Sequence, residues 1–257
     1  MITSAVRVCA KYRPKMGRRG RAGLSPQDFQ EIYGGDPFYK WFGLDNPLLY
    51  TAHRAAGGMT SIYRQIGIAC EHLFRALLQD ELGLSEEDTK WSYSVVGADE
   101  RRRSLSLDAR VSLEKIPDAH KRKRVRAWLR GAAGAVGVDT AVIRALRGAV
   151  FELRQGYKSK DSKRQNADIA NAAAAYSQGY LPCLLLMSCQ IDEDVKVRYQ
   201  RARWAILVGQ TSGSSLESTY GFLREVVGYD LAAFFERHAP NIRREVLGVL
   251  QALLKRD

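Results

Sequence analysis

The spacing of apolar residues predicts a long amphipathic helix in the first third of the chain. From Thr60 to about Leu82, apolar residues recur every three or four positions, which places them on one helical face, and Thr60 is a suitable N-cap. The aromatic segment from about Ser25 to Tyr50 predicts short helices and loops, with most of its rings in a core. Residues 1–24 carry seven basic residues and no acid, which predicts a basic arm.

Alternating apolar and polar positions next predict a β-hairpin. Two segments, 91–96 and 104–111, are joined by a Gly-Ala-Asp-Glu turn. In the second segment, Leu105, Leu107, Ala109 and Val111 share one face, and Asp108 lies on the polar face.

The second half of the chain alternates strand and helix patterns. Strands are predicted at 149–158, 181–188 and 204–208, helices at 166–178 and 192–201, and further helices from about 215, broken near Gly228 and at Pro240. Strands separated by helices favour parallel pairing, with helices on both faces of the sheet. We therefore predict an α/β (α+β) fold with a central mixed sheet flanked by helices and with helix-rich N- and C-terminal additions. The expected division is a basic arm, 1–24, and a single domain, 25–257.

The charge of the chain indicates what kind of partner it binds. Forty Lys and Arg residues against 28 Asp and Glu give a net charge of +12, and clustered cations of this kind neutralise nucleic-acid phosphates. No apolar run is long enough to span a membrane and no signal-peptide core is present, so we expect a cytoplasmic protein without a membrane partner.

The chain lacks the sequence motifs of several cofactor-binding sites. The chain has neither the Gly-x4-Gly-Lys-Ser/Thr of a phosphate loop nor a Gly-x-Gly-x-x-Gly that opens a helix. Its four histidines and four cysteines are spaced unlike zinc ligands. Carboxylates and lysines remain, and these are the groups that metal-assisted phosphodiester hydrolysis needs.

The order of these groups resembles the PD-(D/E)xK nuclease superfamily, and type II restriction endonucleases in particular. Glu71 lies in the predicted long helix, Asp108 on the second hairpin strand, and Glu152 and Lys158 on the following strand, with a helix and a buried strand after them. The resemblance spans about residues 60–190. It implies a Mg²⁺ cofactor held by Asp108, Glu71 and Glu152, double-stranded DNA as substrate, and a homodimer.

The catalytic lysine departs from the pattern of that superfamily. The family places its acid and lysine two residues apart, whereas Arg154 stands two after Glu152, and Lys158 lies roughly 20 Å further along an extended strand. Either Gly156 bends the strand, or Asp108 and Glu71 act with Lys158 and Glu152 is peripheral to the site. Lys158-Ser159 is also similar to the Lys-Ser/Thr segment of the CCGG-cutting group, which takes its acid from elsewhere. Lys160 is the second candidate for the lysine.

Each acid also has a structural interpretation. Glu71 could pair with an arginine, Asp108 could be a surface residue, Glu152 could pair with Arg154, and Asp168 could be an acid at a helix start. Candidates for DNA contact are Arg101, Arg102, Arg103, Arg154, Lys163, Arg164, Gln165, Asn166 and Lys40. The predicted function is a sequence-specific, Mg²⁺-dependent double-stranded DNA endonuclease. The alternatives are a non-catalytic basic DNA-binding protein and a nuclease of repair or transposition.

Overall fold

The computed structural model describes residues 2–15, 23–96, 102–156 and 162–255. The chain forms two compact units, where an arm and one domain were predicted. The first unit comprises residues 1–69 and 237–257, and the second comprises residues 70–236.

In its described residues, the first unit consists of helices joined by short loops, without a strand. It contains α1 (Ile2–Arg7), α2 (Pro26–Gly34), α3 (Pro37–Trp41), the first part of α4 (Pro47–Leu82) and the last part of α10 (Leu231–Leu254). Within the predicted basic arm, Val6 and Cys9 are buried, so this part of the segment is packed. Their core also contains Ile62, Val249 and Leu253.

Helix α4 begins thirteen residues before the predicted N-cap. The side chain of Asn46 accepts a hydrogen bond from the Leu48 N–H (2.9 Å), and Pro47 occupies the first helical position. The Thr60 hydroxyl instead donates to the Ala56 carbonyl (3.1 Å) inside the helix. The prediction of a start at Thr60 is therefore wrong, because the Asn-Pro pair supplies an earlier start.

The aromatic segment was also predicted incorrectly in part. Phe29, Tyr33 and Tyr50 are buried. By contrast, Trp41 is 80% exposed and Phe42 is 68% exposed. Trp41 is the last residue of α3, a helix of five residues without a buried side chain, and Phe42 is its C-cap.

The second unit is built on two sheets. Strands β1 (Trp91–Val96) and β2 (Arg102–Leu107) pair antiparallel. A second, four-stranded sheet has the order β3 (Ala109–Ser112), β4 (Gly148–Arg154), β5 (Tyr180–Leu186) and β6 (Ala205–Leu207). Strand β3 is antiparallel to β4, and the other neighbours are parallel. The strand predicted at 104–111 is thus divided at Asp108, where the chain passes from one sheet to the other.

Helices cover both faces of the four-stranded sheet. Those that lie wholly within this unit are α5 (Ala119–Ala135), α6 (Thr140–Ala145), α7 (Ser162–Ser177), α8 (Glu193–Arg201) and α9 (Thr219–Phe222). On one face, Phe151 of β4 packs against Phe74, Trp128 and Phe222. On the other face, Val150 belongs to a core with residues of α7 and α8. The predicted α/β class and flanked mixed sheet are confirmed.

The C-terminal helices differ from the prediction at one of the two breaks. The chain turns at Gly228, which has a φ of 114° that favours glycine. Pro240, however, lies inside α10, which continues to Leu254. Across the described ranges, no helix has the length and apolarity to span a membrane.

Candidate active site

The site begins with two polar residues on the buried central strand β4. Glu152 and Arg154 are two residues apart, so both side chains lie on one face of the sheet. Glu152 is only 5% exposed, and the Arg154 guanidinium forms an ion pair with its carboxylate. A carboxylate this deeply buried requires a partner, and Arg154 provides one.

Helix α7 supplies a second buried acid to the same guanidinium. Asp168 is 6% exposed, and its Oδ2 lies 3.3 Å from the Arg154 Nη2. The hydroxyl of Tyr199 on α8 donates a hydrogen bond to the same Oδ2 (2.6 Å). Arg154 therefore joins a carboxylate of β4 to one of α7.

Asp108 reaches β4 from the point where β2 ends and β3 begins. The main-chain N–H of Leu153, directly after Glu152, donates a hydrogen bond to the Asp108 Oδ2 (2.7 Å). Burial raises the pKa of Asp108 above its ordinary value, although the Leu153 hydrogen bond and the charges of Arg154 and Arg75 oppose this shift. The nearby negative charge of Asp168 raises this pKa further.

A second arginine connects Asp108 to helix α4. The Arg75 Nε donates to the main-chain carbonyl of Asp108 (2.6 Å), and its Nη2 lies 3.9 Å from the Glu71 carboxylate. The structural interpretation of Glu71, pairing with an arginine, thus has a specific partner one helical turn away. Arg75 thus connects Glu71 to Asp108, and the Leu153 N–H connects Asp108 to β4 beside Glu152.

The predicted lysines and several predicted DNA contacts lie partly or wholly outside the described residues. Lys158, Lys160 and Arg101 are outside them. Arg102 and Arg103 lie in β2, and Lys163, Arg164 and Gln165 in the first turn of α7, but the side chains of these five residues are not among those described.

The remaining predicted DNA contacts fall in different places. Lys40 is exposed on α3, in the first unit. Asn166 is exposed on α7 and accepts a hydrogen bond from Arg198 (2.8 Å). Arg154 has a side chain only 15% exposed, between Glu152 and Asp168.

Sequence reasoning did not select Asp168 or Tyr199 for this site. Asp168 was interpreted as a helix-start acid, but α7 begins at Ser162 and turns Asp168 toward the sheet. A signal was available in the sequence. Asp168 precedes Ala172 and Ala175 by four and seven positions, so the acid stands within the buried stripe of its helix.

The carboxylates fit Mg²⁺ in their chemistry. Magnesium takes oxygen ligands and is commonly held by one or two carboxylates together with phosphate oxygens of a substrate. Asp108 and Glu152 provide carboxylates at adjacent strands. In the described part of the chain, no three His, Cys, Asp or Glu side chains form a group that could hold a metal. The three acids predicted to hold Mg²⁺, Asp108, Glu71 and Glu152, therefore do not form one such group, and Asp108 and Glu152 are the two that the main chain of β4 connects.

No family model, curated protein or solved structure matches the chain.

Proposed function

We propose that the protein is a Mg²⁺-dependent endonuclease that cuts double-stranded DNA at specific sequences, of the type II restriction class. One observation carries the proposal: Asp108, between β2 and β3, is hydrogen-bonded to the main chain beside Glu152 on β4. The succession of α4 with Glu71, the segment 104–111 with Asp108, β4 with Glu152, α7 and β5 supports it, since the PD-(D/E)xK resemblance leads us to expect these elements in this succession, although the segment 104–111 is divided between β2 and β3.

In this proposal, Asp108 and Glu152 hold the metal ion. A Mg²⁺ ion held there would act as a Lewis acid on the phosphate and would lower the pKa of a bound water. The Leu153 N–H fixes one Asp108 oxygen, which orients the carboxylate. Tyr199 and Asp168 act as positioning residues because they hold the Arg154 side chain beside Glu152.

Arg154 has the chemistry to exchange partners when DNA binds. Guanidinium groups bind carboxylates and phosphates with the same paired geometry. A DNA phosphate therefore competes with Glu152 and Asp168 for Arg154. This exchange would release the Glu152 carboxylate and place a positive charge against the substrate, which also agrees with the prediction of Arg154 as a DNA contact.

The catalytic lysine remains a prediction from the sequence. Lys158 is the first candidate and Lys160 the second, and both follow β4 within the next six residues. In the proposed reaction, this lysine positions the attacking water and offsets the charge that develops on the phosphate.

The experiment is cleavage of unmethylated phage DNA by the purified full chain, with Mg²⁺ and with EDTA, resolved on a gel. We expect discrete fragments that require Mg²⁺. Asp108→Asn and Glu152→Gln should each lower the cleavage rate by more than the roughly 10- to 100-fold that loss of an outer partner costs. The matched control is Glu193→Gln, which alters an exposed acid of the same unit and should cleave like the unaltered chain. Lys158→Ala and Lys160→Ala then identify the lysine.

A non-catalytic basic DNA-binding protein is the second candidate. The observation that favours it is the pairing of both buried acids with Arg154, which satisfies them without a metal. This function predicts retarded but intact DNA whether Mg²⁺ or EDTA is present. That result would contradict the nuclease proposal.

A further inference from the structure

Helix α5 carries six basic residues among its 17 positions and no Asp or Glu. Three of the six bind main-chain carbonyls of neighbouring segments. Lys121 donates to the Glu81 carbonyl at the end of α4, and Arg122 donates to the Ile116 carbonyl (2.8 Å). The Arg124 guanidinium donates to the carbonyls that end the helical segment 223–227. These three cations therefore have a structural role.

The other three cations of α5, Lys123, Arg126 and Arg130, are exposed. Positions three and seven apart lie within about 60° of each other around a helix, so the three side chains form one line roughly 10 Å long. They are called the α5 stripe below. Within the part of the chain that the structure describes, the stripe takes part in no ion pair or hydrogen bond.

The α5 stripe opposes the stability of its own helix. Like charges three or four residues apart on a helix repel each other, and α5 has no acid that would offset this repulsion. The opposite side of the helix, which includes Val125, Trp128 and Leu129, is buried without help from the stripe. A partner that would offset the repulsion is an external anion.

The stripe and the candidate active site lie on opposite sides of the four-stranded sheet. Trp128 of α5 stacks on Phe151, on one face of β4. Glu152 and Arg154 lie on the other face, together with α7 and α8. The sheet and the body of α5, a helix roughly 10 Å across, therefore separate the stripe from the site. A straight DNA duplex at the site does not reach the stripe.

The residues around the stripe favour nucleic acid over a membrane as the anion. Helices that bind a membrane surface insert large apolar side chains between the lipids. The exposed positions of α5 hold only basic residues, His120, alanines and glycines, and its large apolar side chains are buried. A DNA duplex carries one charge per 1.7 Å or so of its axis, so about six phosphates lie along the length of the stripe.

We propose that the α5 stripe is a second duplex-binding surface, which holds a segment of DNA other than the one at the candidate active site. Contacts to phosphates carry no sequence information directly, so this surface binds DNA of any sequence. The presence of DNA at the candidate site rests on the proposed function. Binding at the stripe goes beyond it and is measured without cleavage.

The first test is the retention of two duplexes by the full chain in EDTA. One duplex is fixed to beads, the chain is bound to it, and a second, fluorescent duplex is added. We expect the unaltered chain to retain the second duplex. A chain with Lys123→Gln, Arg126→Gln and Arg130→Gln together should bind the beads and lose the second duplex. Glutamine has a helix propensity close to that of Lys and Arg, so the helix is preserved.

The matched control removes three exposed cations that each have an acidic partner, through Lys90→Gln, Lys115→Gln and Arg224→Gln. This chain has the same net charge as the stripe variant and should retain both duplexes. If the stripe variant retained the second duplex as well as this control does, the proposal would be overturned. An unaltered chain that holds the first duplex but never a second would overturn it too.

The second test is the salt dependence of duplex affinity, measured by fluorescence anisotropy in EDTA. Each neutralised phosphate contributes about 0.9 to the logarithmic slope, so raising salt from about 50 to about 200 mM should weaken the unaltered chain roughly 40-fold more than the stripe variant. Equal slopes would contradict the proposal. So would binding to vesicles of anionic phospholipid that depends on the stripe when duplex binding does not.

The third readout is stability. Because the stripe repels itself, the unfolding midpoint of the stripe variant in urea should equal or exceed that of the unaltered chain. A lower midpoint would assign the three cations to the fold and overturn the proposal. A chain that retains two duplexes and never cuts DNA with Mg²⁺ would support the stripe and refute the nuclease, so the two failures are distinguishable.

Discussion

The two faces of strand β4 differ in how they are stabilised. Phe151 points to one face and packs against the rings of Phe74, Trp128 and Phe222. Glu152 and Arg154 point to the other face, where neighbouring positions are occupied by charged groups as well as apolar ones. The stabilisation from apolar packing depends on the area that is buried, whereas the stability of a buried charge depends on one particular partner. Neighbouring residues on one strand should therefore respond to mutation for different reasons.

The largest effect is expected on the apolar face. Phe151→Ala leaves a cavity among three aromatic rings, and we expect a loss of about 4 kcal/mol in the free energy of unfolding. Urea denaturation followed by circular dichroism measures this loss. Val142→Ala, at a position 40% exposed on α6, is the control and should change stability little. Similar losses in the two variants would contradict the assignment of Phe151 to the core.

A smaller loss is expected on the charged face. Arg154→Met removes the cation from two buried carboxylates, and we expect about 3 kcal/mol of destabilisation in the same assay. Adding Asp168→Asn should recover part of the loss, because one unpaired charge disappears. Arg224→Met breaks an exposed pair with Glu225 and should cost much less. If Asp168→Asn made the Arg154→Met chain less stable still, the buried network would not be electrostatic in origin.

Loss of the Tyr199 hydrogen bond should destabilise the protein less than loss of the Arg154 cation. Tyr199→Phe removes the donor to Asp168 and leaves the ring in place, so we expect a loss of about 2 kcal/mol. The matched control is Tyr63→Phe, at an exposed ring on α4. Equal unfolding midpoints for Tyr199→Phe and the unaltered chain would show that Asp168 does not depend on this donor.

The smallest expected effect depends on pH. Burial raises the pKa of Asp108 in the folded chain, so the folded state holds this proton more tightly than the unfolded state does. Through this group, stability falls as pH rises from the ordinary value of 3.8 through the raised pKa. Asp108→Asn removes that decline, and the Asn side-chain oxygen can still accept from the Leu153 N–H. The free energies of unfolding of the two chains, measured across this pH range, should diverge as pH rises, because only the unaltered chain loses this contribution. A difference that stays constant with pH would contradict the raised pKa.

The central strands could be predicted because their apolar runs leave few alternatives. Strands β4 and β5 are buried along nearly their whole length, and the predicted segments at 149–158 and 181–188 overlap them. The division at Asp108 could not be predicted. Leu107 and Ala109 are both buried and continue the same alternation, although they belong to different sheets. Side chains alternate between the two faces of a strand in either sheet, so the apolar alternation gives no sign that the chain has passed from one sheet to the other.

The candidate site was predictable in part for a similar reason. The order of elements selected Glu71, Asp108 and Glu152. The structure connects Glu71 to Asp108 through Arg75, and Asp108 to the strand of Glu152 through the Leu153 N–H. The sequence did not indicate that Arg154 also binds Asp168, because this contact depends on how α7 packs on the sheet. The exposure of Trp41 was missed because an aromatic residue carries the same hydrophobic signal in a core as on a surface.

The sheet topology also has a consequence for the order in which the chain folds. Strands β1 and β2 are close in sequence, but β3 ends at Ser112 and β4 begins only at Gly148, after α5 and α6. Pairings of high sequence separation form slowly because a long loop must close first. On the ribosome, Asp108 emerges well before its partner Leu153, and Asp168 well before Tyr199. We therefore expect the acids to be brought together late in folding, after the local hairpin and the helices have formed.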